Sequence, residues 1–409
     1  MFNPVKLSTT LFQKTTKALL PATAILALLS VALHAAPVGV LTLPEENKEG
    51  NKLETDVAPK DLAVLYKDKE NPIIEKFSFT GEFQVQWADG SSNQGSFGTR
   101  DYNPNARWGD IEARRIRLGF ESQWLNSIKL WGNIDVNPNS NPFYKDIYEL
   151  AISYSPSDAF NLGVGKLKTR FFTQEWNTRT RELIVFENSL LVNTLIPQQL
   201  TGVWVNGKAG NWVYALAAFA GDYEPEFTQF NAGEVTQASL GYDFATALNV
   251  EKALVKLDYQ GSTSTKNSDG PGRFSNAFSL NTTFQNKRFY GYTDLLGGIG
   301  QGKQGDVWGI TLTPTYFLIP NKLQTLIRYQ YAHGDNDGLK LQNRYEALAP
   351  GIISNKGAGS DYNAVYFGLN YYIYGHNLKL MAGTEYNNMT GGPKDYSGWT
   401  TLLGIRASF

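Results

Sequence analysis

From position 77 onward, apolar and polar residues alternate in short runs. Phe77, Phe79, Gly81, Phe83, Val85 and Trp87 share one side, and Ser78, Thr80, Glu82, Gln84 and Gln86 the other, which is the two-residue period of a strand with one apolar face. Similar runs recur at 111–124, 128–136, 147–154, 160–166, 200–205, 212–219, 235–244, 254–260, 274–285, 288–295, 307–316, 323–331, 362–372, 378–387 and 399–409, giving 16 predicted strands. In the second, Ile116, Leu118 and Phe120 point one way, and Arg115, Arg117 and Glu121 the other. The last run, W-T-T-L-L-G-I-R-A-S-F, places Thr401, Leu403, Ile405, Ala407 and Phe409 on its apolar face. At roughly 10 residues it is long enough to cross a bilayer at a tilt.

Short connections, such as those at 286–287 and 319–321, alternate with long polar ones at 88–107 and 333–361. An even strand count with this alternation predicts an all-β fold, a transmembrane antiparallel β-barrel with the short turns and both chain ends on one side. Past the N-terminal region no run reaches 18 consecutive apolar residues, so the sequence offers no spanning helix. In lipid the strands must then close, because an open sheet edge would leave backbone groups unpaired. About 16 strands enclose a lumen wider than side chains fill, which points to passage through the protein. The segment 168–199 breaks the alternation, mixing Arg, Glu and aromatic residues. Long irregular segments in compact proteins are often functional, and this one is expected to fold inward as a constriction loop.

Ahead of the barrel, Lys6, Lys14 and Lys17 precede an apolar stretch over 18–33 and the small residues Ala35 and Ala36. This is the charge, apolar core and cleavage site of a signal peptide over 1–36. Residues 37–76 are charged and poor in aromatics, and read as a periplasmic linker or extension with a short helix near 62–66. The barrel is assigned to 77–409.

Composition narrows the function. The chain has no Cys, which excludes disulfides, zinc-thiolate sites and cysteine nucleophiles. Loss of the signal peptide removes three of 37 basic residues and none of 38 acidic ones, leaving a net charge of −4. That balance gives no support for a nucleic-acid partner and no global field attracting anions. No metal-ligand spacing or Gly-rich phosphate loop appears, so no cofactor is expected. A barrel enzyme would call on a positioned imidazole. Outside the signal region only His333, near Asp335, and His376, in the turn Gly375-His376-Asn377, are present. Both read as loop residues. The expected partners are small hydrophilic solutes and outer-membrane lipid, with Trp87, Trp124, Tyr154 and Trp399 near strand ends as interfacial girdles.

A pore selects by its width and by the charge at its narrowest part. Arg115, Arg117 and Arg328 fall on lumen faces, and Lys166, Lys168, Arg170, Arg179 and Arg181 lie in or beside the irregular segment. These eight are the candidate anion path, since guanidinium and ammonium groups in a poorly screened pore favour anions and Arg fits phosphate bidentately. Strand parity turns Lys166 toward lipid. The opposing reading pairs the cations with Glu112, Glu121, Glu175, Glu182 or Glu187, so that they fasten the segment to the wall.

The runs G-V-G-K-L-K-T-R-F-F-T-Q-E-W at 163–176, F-E-N-S at 186–189 and F-G-L-N-Y-Y-I at 367–373 resemble the phosphate-selective porin O and P family, over about 77–409. The resemblance implies a 16-stranded outer-membrane porin, a homotrimer, with an inward-folded third loop, basic residues along the path and inorganic phosphate among its solutes. The chain departs from the family pattern in three places. Lys168-Thr169-Arg170 stands for Lys-x-Pro, Asn188 for an expected Arg, and Gln198-Gln199 for a region that is often basic.

Overall fold

The structure is a computed structural model that describes residues 63–93, 108–137, 142–264, 273–341, 358–393 and 395–409. The expected signal peptide over 1–36, the linker as far as 62, and the inner parts of the long connections at 88–107 and 333–361 lie outside the described residues.

Among the described residues, 16 long strands form the barrel. They are β1 (Ile74–Ser92), β2 (Trp108–Trp124), β3 (Ile128–Val136), β4 (Tyr144–Ser157), β5 (Phe160–Lys168), β6 (Gln199–Ala209), β7 (Trp212–Ala220) and β8 (Glu234–Asp243). The other half comprises β9 (Lys252–Ser262), β10 (Phe274–Asn286), β11 (Phe289–Gly300), β12 (Val307–Ile319), β13 (Leu323–Gly334), β14 (Asp361–Tyr372), β15 (Leu378–Thr390) and β16 (Tyr396–Ser408). Each pairs antiparallel with its neighbours in sequence, and β16 returns to β1 through a register from Gly398↔Ser92 to Ser408↔Glu82. No edge is left open, as spanning a bilayer requires. All 16 predicted strands are present, most of them a few residues longer than the alternation alone marks.

The alternation becomes a division between two solvents. Phe79, Val85, Ile152, Leu162, Val164, Leu216, Leu240, Phe278, Ile327, Phe367 and Leu403 are exposed on the outer wall. Ser78, Gln84, Gln86, Arg117, Asp258, Asn281, Asp294, Arg328, Asn370 and Lys379, at the alternate positions, are buried. Aromatic pairs mark both ends of the outer wall. Tyr386 lies 5.0 Å from Trp399 and Trp308 lies 5.4 Å from Tyr331 at the long-loop end, with Trp212 4.9 Å from Tyr242 at the other.

The barrel's seam is closed by the last residue. Phe409 and Gly81 exchange backbone hydrogen bonds of 3.1 Å in both directions. The Phe409 ring lies over Gly81, where an added β-carbon would come within 2.4 Å of the ring, and stacks 6.1 Å from Phe83. Beyond Phe409 a short rim strand, Val64–Lys67, takes over the same edge of β1, pairing Val64 with Ser78 and Lys67 with Lys76. The sequence suggests a helix here; instead β1 runs past the end of β16, and its unpaired backbone groups capture the preceding chain as a strand. Residues 64–67 and 74–76, read from sequence as linker, are therefore strand.

We expect Gly81→Leu to displace the Phe409 ring and destabilise the seam by about 1–3 kcal/mol. The measurement is the temperature at which the folded, fast-migrating form is lost on semi-native electrophoresis. Gly297→Leu serves as control, because a β-carbon there meets nothing closer than 3.6 Å.

Candidate functional site

Between β5 and β6 the chain leaves the barrel wall for residues 169–198, which hold only two short helices, α1 (Gln174–Asn177) and α2 (Leu190–Leu195). A segment without a ladder must find other partners for its backbone groups wherever it is buried. Here the inward-facing side chains of the staves supply them. On the amide side, Asp258 accepts from Thr173 N at 3.0 Å, and Asp294 from Gln174 N at 2.7 Å and Glu175 N at 3.0 Å. Gln330 accepts from Leu190 N at 2.9 Å. On the carbonyl side, Lys379 donates to Leu183 O at 2.6 Å, and Arg406 to Leu183 O at 3.1 Å and Phe186 O at 2.8 Å. Asn370 donates to Ile184 O and Gln260 to Leu195 O, each at 2.9 Å. These partners stand on β9, β11 and β13–β16.

The other wall holds the segment chiefly through charge. Glu187 accepts from Arg114 Nε at 2.6 Å and Nη2 at 2.8 Å, with Arg115 Nη2 3.8 Å away. Burial alone would raise the Glu187 carboxyl, but Arg114 and Arg115 hold it well below the usual range. Arg117 donates to Asp135 at 2.5 Å, Glu82 at 3.1 Å and Thr180 Oγ1 at 2.8 Å, and its guanidinium lies 3.4 Å from the centre of the Tyr148 ring. Lys168 donates to Thr178 O at 2.7 Å and sits 4.2 Å from the Trp176 ring. Arg170 is paired with Glu149. On the opposite side Arg328 bridges Glu175 at 3.0 Å and Glu385 at 2.9 Å, and also donates to Glu187 O at 2.6 Å. Burial pushes the Glu175 carboxyl up despite that contact.

Apolar packing completes the attachment. Phe172, Val185, Phe186, Leu191, Val192 and Leu195 are buried against Leu296, Leu326, Tyr366 and Leu402, which occupy inward positions of β11, β13, β14 and β16.

Seven of the eight predicted residues thus surround this segment, in different conditions. Arg115, Arg117, Arg170 and Arg328 face carboxylates, and Lys168 is held by a carbonyl. Arg181 lies 3.7 Å from Glu182 and is partly exposed. Arg179 is exposed, and no carboxylate among the described residues lies within ion-pairing distance. Lys166 is placed elsewhere. It shares the parity of the exposed Phe160, Leu162 and Val164, and donates to Glu224 O at 2.7 Å and Pro225 O at 2.9 Å, under the connection between β7 and β8.

Three cations at the segment escape the sequence reading. Arg114 falls on the outward parity of β2, but a bulge opposite Gln84 and Val85 inserts one extra residue there and turns it in. Lys379 follows the polar parity of β15 between Leu378 and Leu380 and could have been found from the alternation. Arg406 reads as too near the short-turn rim to matter; the segment dips far enough for Arg406 to bind three of its carbonyls, those of Thr180, Leu183 and Phe186.

The staves β1–β5 and the segment's tip enclose a cavity of about 390 Å³. Its charged lining is Arg117, Lys129, Lys168, Arg170, Arg179 and Arg181 against Glu82, Glu121 and Glu149. The imidazoles lie apart from it. His333 bonds Asp361 at 2.9 Å and lies 6.1 Å from Trp308 on the outer wall. His376 contacts Lys379 Nζ at 3.0 Å, and burial together with that ammonium pushes its pKa down to about 3.

The fold is that of known outer-membrane channels. Pseudomonas putida OprB superposes with a TM-score of 0.54 at 10% identity, covering 81% of this chain and 94% of that one. The outer membrane channel DcaP of Acinetobacter baumannii gives 0.53 at 15% identity, over 84% and 99%. Salmonella typhi OmpF, in a complex with daunomycin, gives 0.55 at 11% identity, over 85% and 100%. At these identities the likeness is one of fold. No curated protein sequence matches the chain. The model of the family "Phosphate-selective porin O and P" matches residues 83–290, just over half of the chain, from β1 into β11 and across the whole segment 169–198. The chain belongs to the phosphate-selective porin O and P family and forms a channel in the outer membrane of a Gram-negative bacterium.

Proposed function

We propose that this channel admits small hydrophilic solutes by passive diffusion, that residues 169–198 fold inward and set its narrowest part, and that it favours small anions, inorganic phosphate among them. The observation that carries the reading is the charge of the 390 Å³ cavity, where six basic side chains face three acidic ones. Arg179 and Arg181 stand at the segment's tip with the most water around them. A basic excess in a confined passage raises the local concentration of anions even when the protein as a whole carries negative charge. Arg115, Arg117, Lys168, Arg170 and Arg328 shape the passage mainly by fixing the segment. Lys166 is left out of the path.

The same reading takes residues 1–36 as a signal peptide that directs export, and the assembly as a homotrimer, in keeping with the family resemblance. It takes the channel as non-enzymatic: His333 is committed to Asp361 beside the outer-wall aromatics, and His376, half-buried in its turn, to Lys379.

Planar-bilayer recording tests the selectivity. In a salt gradient the reversal potential is expected to show anion preference, and added phosphate to compete with chloride current. Arg179→Glu with Arg181→Glu should move the anion-to-cation permeability ratio toward cations by on the order of tenfold. A cation-selective native channel overturns the anion reading, and a barrel that inserts without passing current overturns the channel mechanism.

A second prediction concerns the hold on the segment. Glu187→Gln leaves Arg114 and Arg115 without their carboxylate, at a cost of about 1–3 kcal/mol. The expected result is a noisier open state of larger mean conductance, while Glu251→Gln, in the exposed turn before β9, leaves the noise unchanged. Because the folded-state pKa of Glu187 is lowered, its stabilisation is fully present above its unfolded value of 4.5 and is lost as pH falls through the folded value. Native noise should therefore stay level across neutral and mildly acidic pH and rise only in strong acid.

A further inference from the structure

The lumen has a second cavity, of about 530 Å³, on the other side of the segment's tip, and its chemistry differs from the first. Its wall comes from β9–β14 and the turn after β14. Tyr290, Tyr292, Phe317 and Tyr372 bring ring surfaces to it, and Gln285 and Gln324 bring amides. The rings form two pairs: Tyr290 and Tyr292 have centroids 6.3 Å apart, and Phe317 and Tyr372 5.9 Å. Tyr372 Oη donates to Gln324 Oε1 at 2.5 Å, and Gln324 Nε2 donates to Thr315 at 2.9 Å, which fixes the amide and one phenol relative to each other. Arg181 and Glu182, 3.7 Å apart, are the cavity's share of the segment's charge, with Lys252 on the wall. Here two basic side chains face one acidic one, a net excess of one against three in the first cavity.

Aromatic residues of a porin wall belong, by ordinary expectation, on the lipid side at the girdles. These four occupy inward positions, on the parity of Asp294, Thr315, Gln324 and Asn370 rather than of the exposed Leu295, Tyr316, Leu369 and Tyr371. The backbone hydrogen bonds of residues 169–198 do not need them, although the Gln174 side chain is hydrogen-bonded to Tyr290. Flat apolar surface beside fixed amides and phenols suits a solute with an apolar face and a hydroxyl rim. A sugar ring has both, whereas phosphate has no apolar face. The volume lies within the range of small-molecule sites.

We propose that this second cavity is a carbohydrate subsite, in which a neutral sugar stacks against Tyr290 and Tyr372 and hydrogen-bonds to Gln285 and Gln324, so that the tip of the segment divides the lumen into a basic lane and an aromatic lane. The probe is sucrose, titrated on both sides of a planar bilayer holding the native full-length porin. Conductance is expected to fall saturably with sucrose beyond the linear fall caused by viscosity. Tyr290→Ala with Tyr372→Ala should raise the half-saturating concentration about tenfold, while Tyr290→Phe with Tyr372→Phe, which keeps the ring faces, holds it within about twofold. The reversal potential in a salt gradient should be the same in all three proteins, which separates this subsite from the anion lane. A purely linear, viscosity-like fall in the native channel overturns the proposal even where the alanine variant fails to fold. Equal saturation in native and alanine channels, or saturation by adenosine and none by sucrose, overturns it as well.

Discussion

The constraint on which the rest of the structure depends is that residues 169–198 are buried without a ladder. In a stave every amide and carbonyl finds a partner in the neighbouring strand. Off the wall, the same groups would be desolvated and unpaired at about 1–3 kcal/mol each. The protein meets this with the charged side chains of its own inner wall. Carboxylates on β9 and β11 take the amides at the start of α1, and cations on β13, β15 and β16 take the carbonyls between 183 and 187. The inward charges are therefore first a scaffold, and the field felt by a solute is what the scaffold leaves over.

Charge accounting on that basis gives unequal weight to residues that look alike in the sequence. A cation facing a carboxylate a few ångströms away is cancelled at longer range, as with Arg114 on Glu187, Arg170 on Glu149 and Arg328 between Glu175 and Glu385. A cation held by a carbonyl is not cancelled, because the field of a dipole falls off faster than that of a charge. Arg406, whose guanidinium stays charged, thus fastens the segment and still contributes to the potential. At an effective dielectric of about 20, a unit charge about 8 Å from an ion is worth about 2 kcal/mol before screening, enough to decide a preference.

The fold was legible in the sequence because a bilayer imposes one period on every stave: outer positions apolar, inner positions polar. The same rule placed Arg117 and Arg328 inside. It failed where the backbone departs from strict alternation. One extra residue in β2 turns Arg114 inward, and the pairing of β1 beyond Phe409 converts 64–67 from an expected helix to a strand. It also had no means of judging depth along the lumen, which is why Arg406 read as remote. A signal for the segment's resting place was nonetheless present. Leu296, Leu326, Met381 and Leu402 break the polar parity of their strands, and apolar residues on a wet face imply that something dry covers them.

That cover also explains why the lumen ends up in two parts. Residues 183–196 press their apolar side chains onto inner positions of β10–β16, which fills the long-loop half of that wall and excludes water there. Towards the short-turn end the same staves carry Gln285, Tyr290, Phe317, Gln324 and Tyr372, and beside the Gln174–Tyr290 hydrogen bond the 530 Å³ cavity remains. On the opposite wall Arg170, Thr178–Arg181 and Glu187 approach β1–β5, through Glu149, Glu82, Arg117, Lys168 and Arg114, and the 390 Å³ cavity remains. The segment is thus wedged off-centre, and its tip, residues 177–182, is the one stretch that borders both spaces. Arg181 at the tip lines both cavities, whereas Glu82 and Tyr290 each line one. The division follows from where the apolar half of the segment has to dry, and the charges at its tip are then left in water on either side.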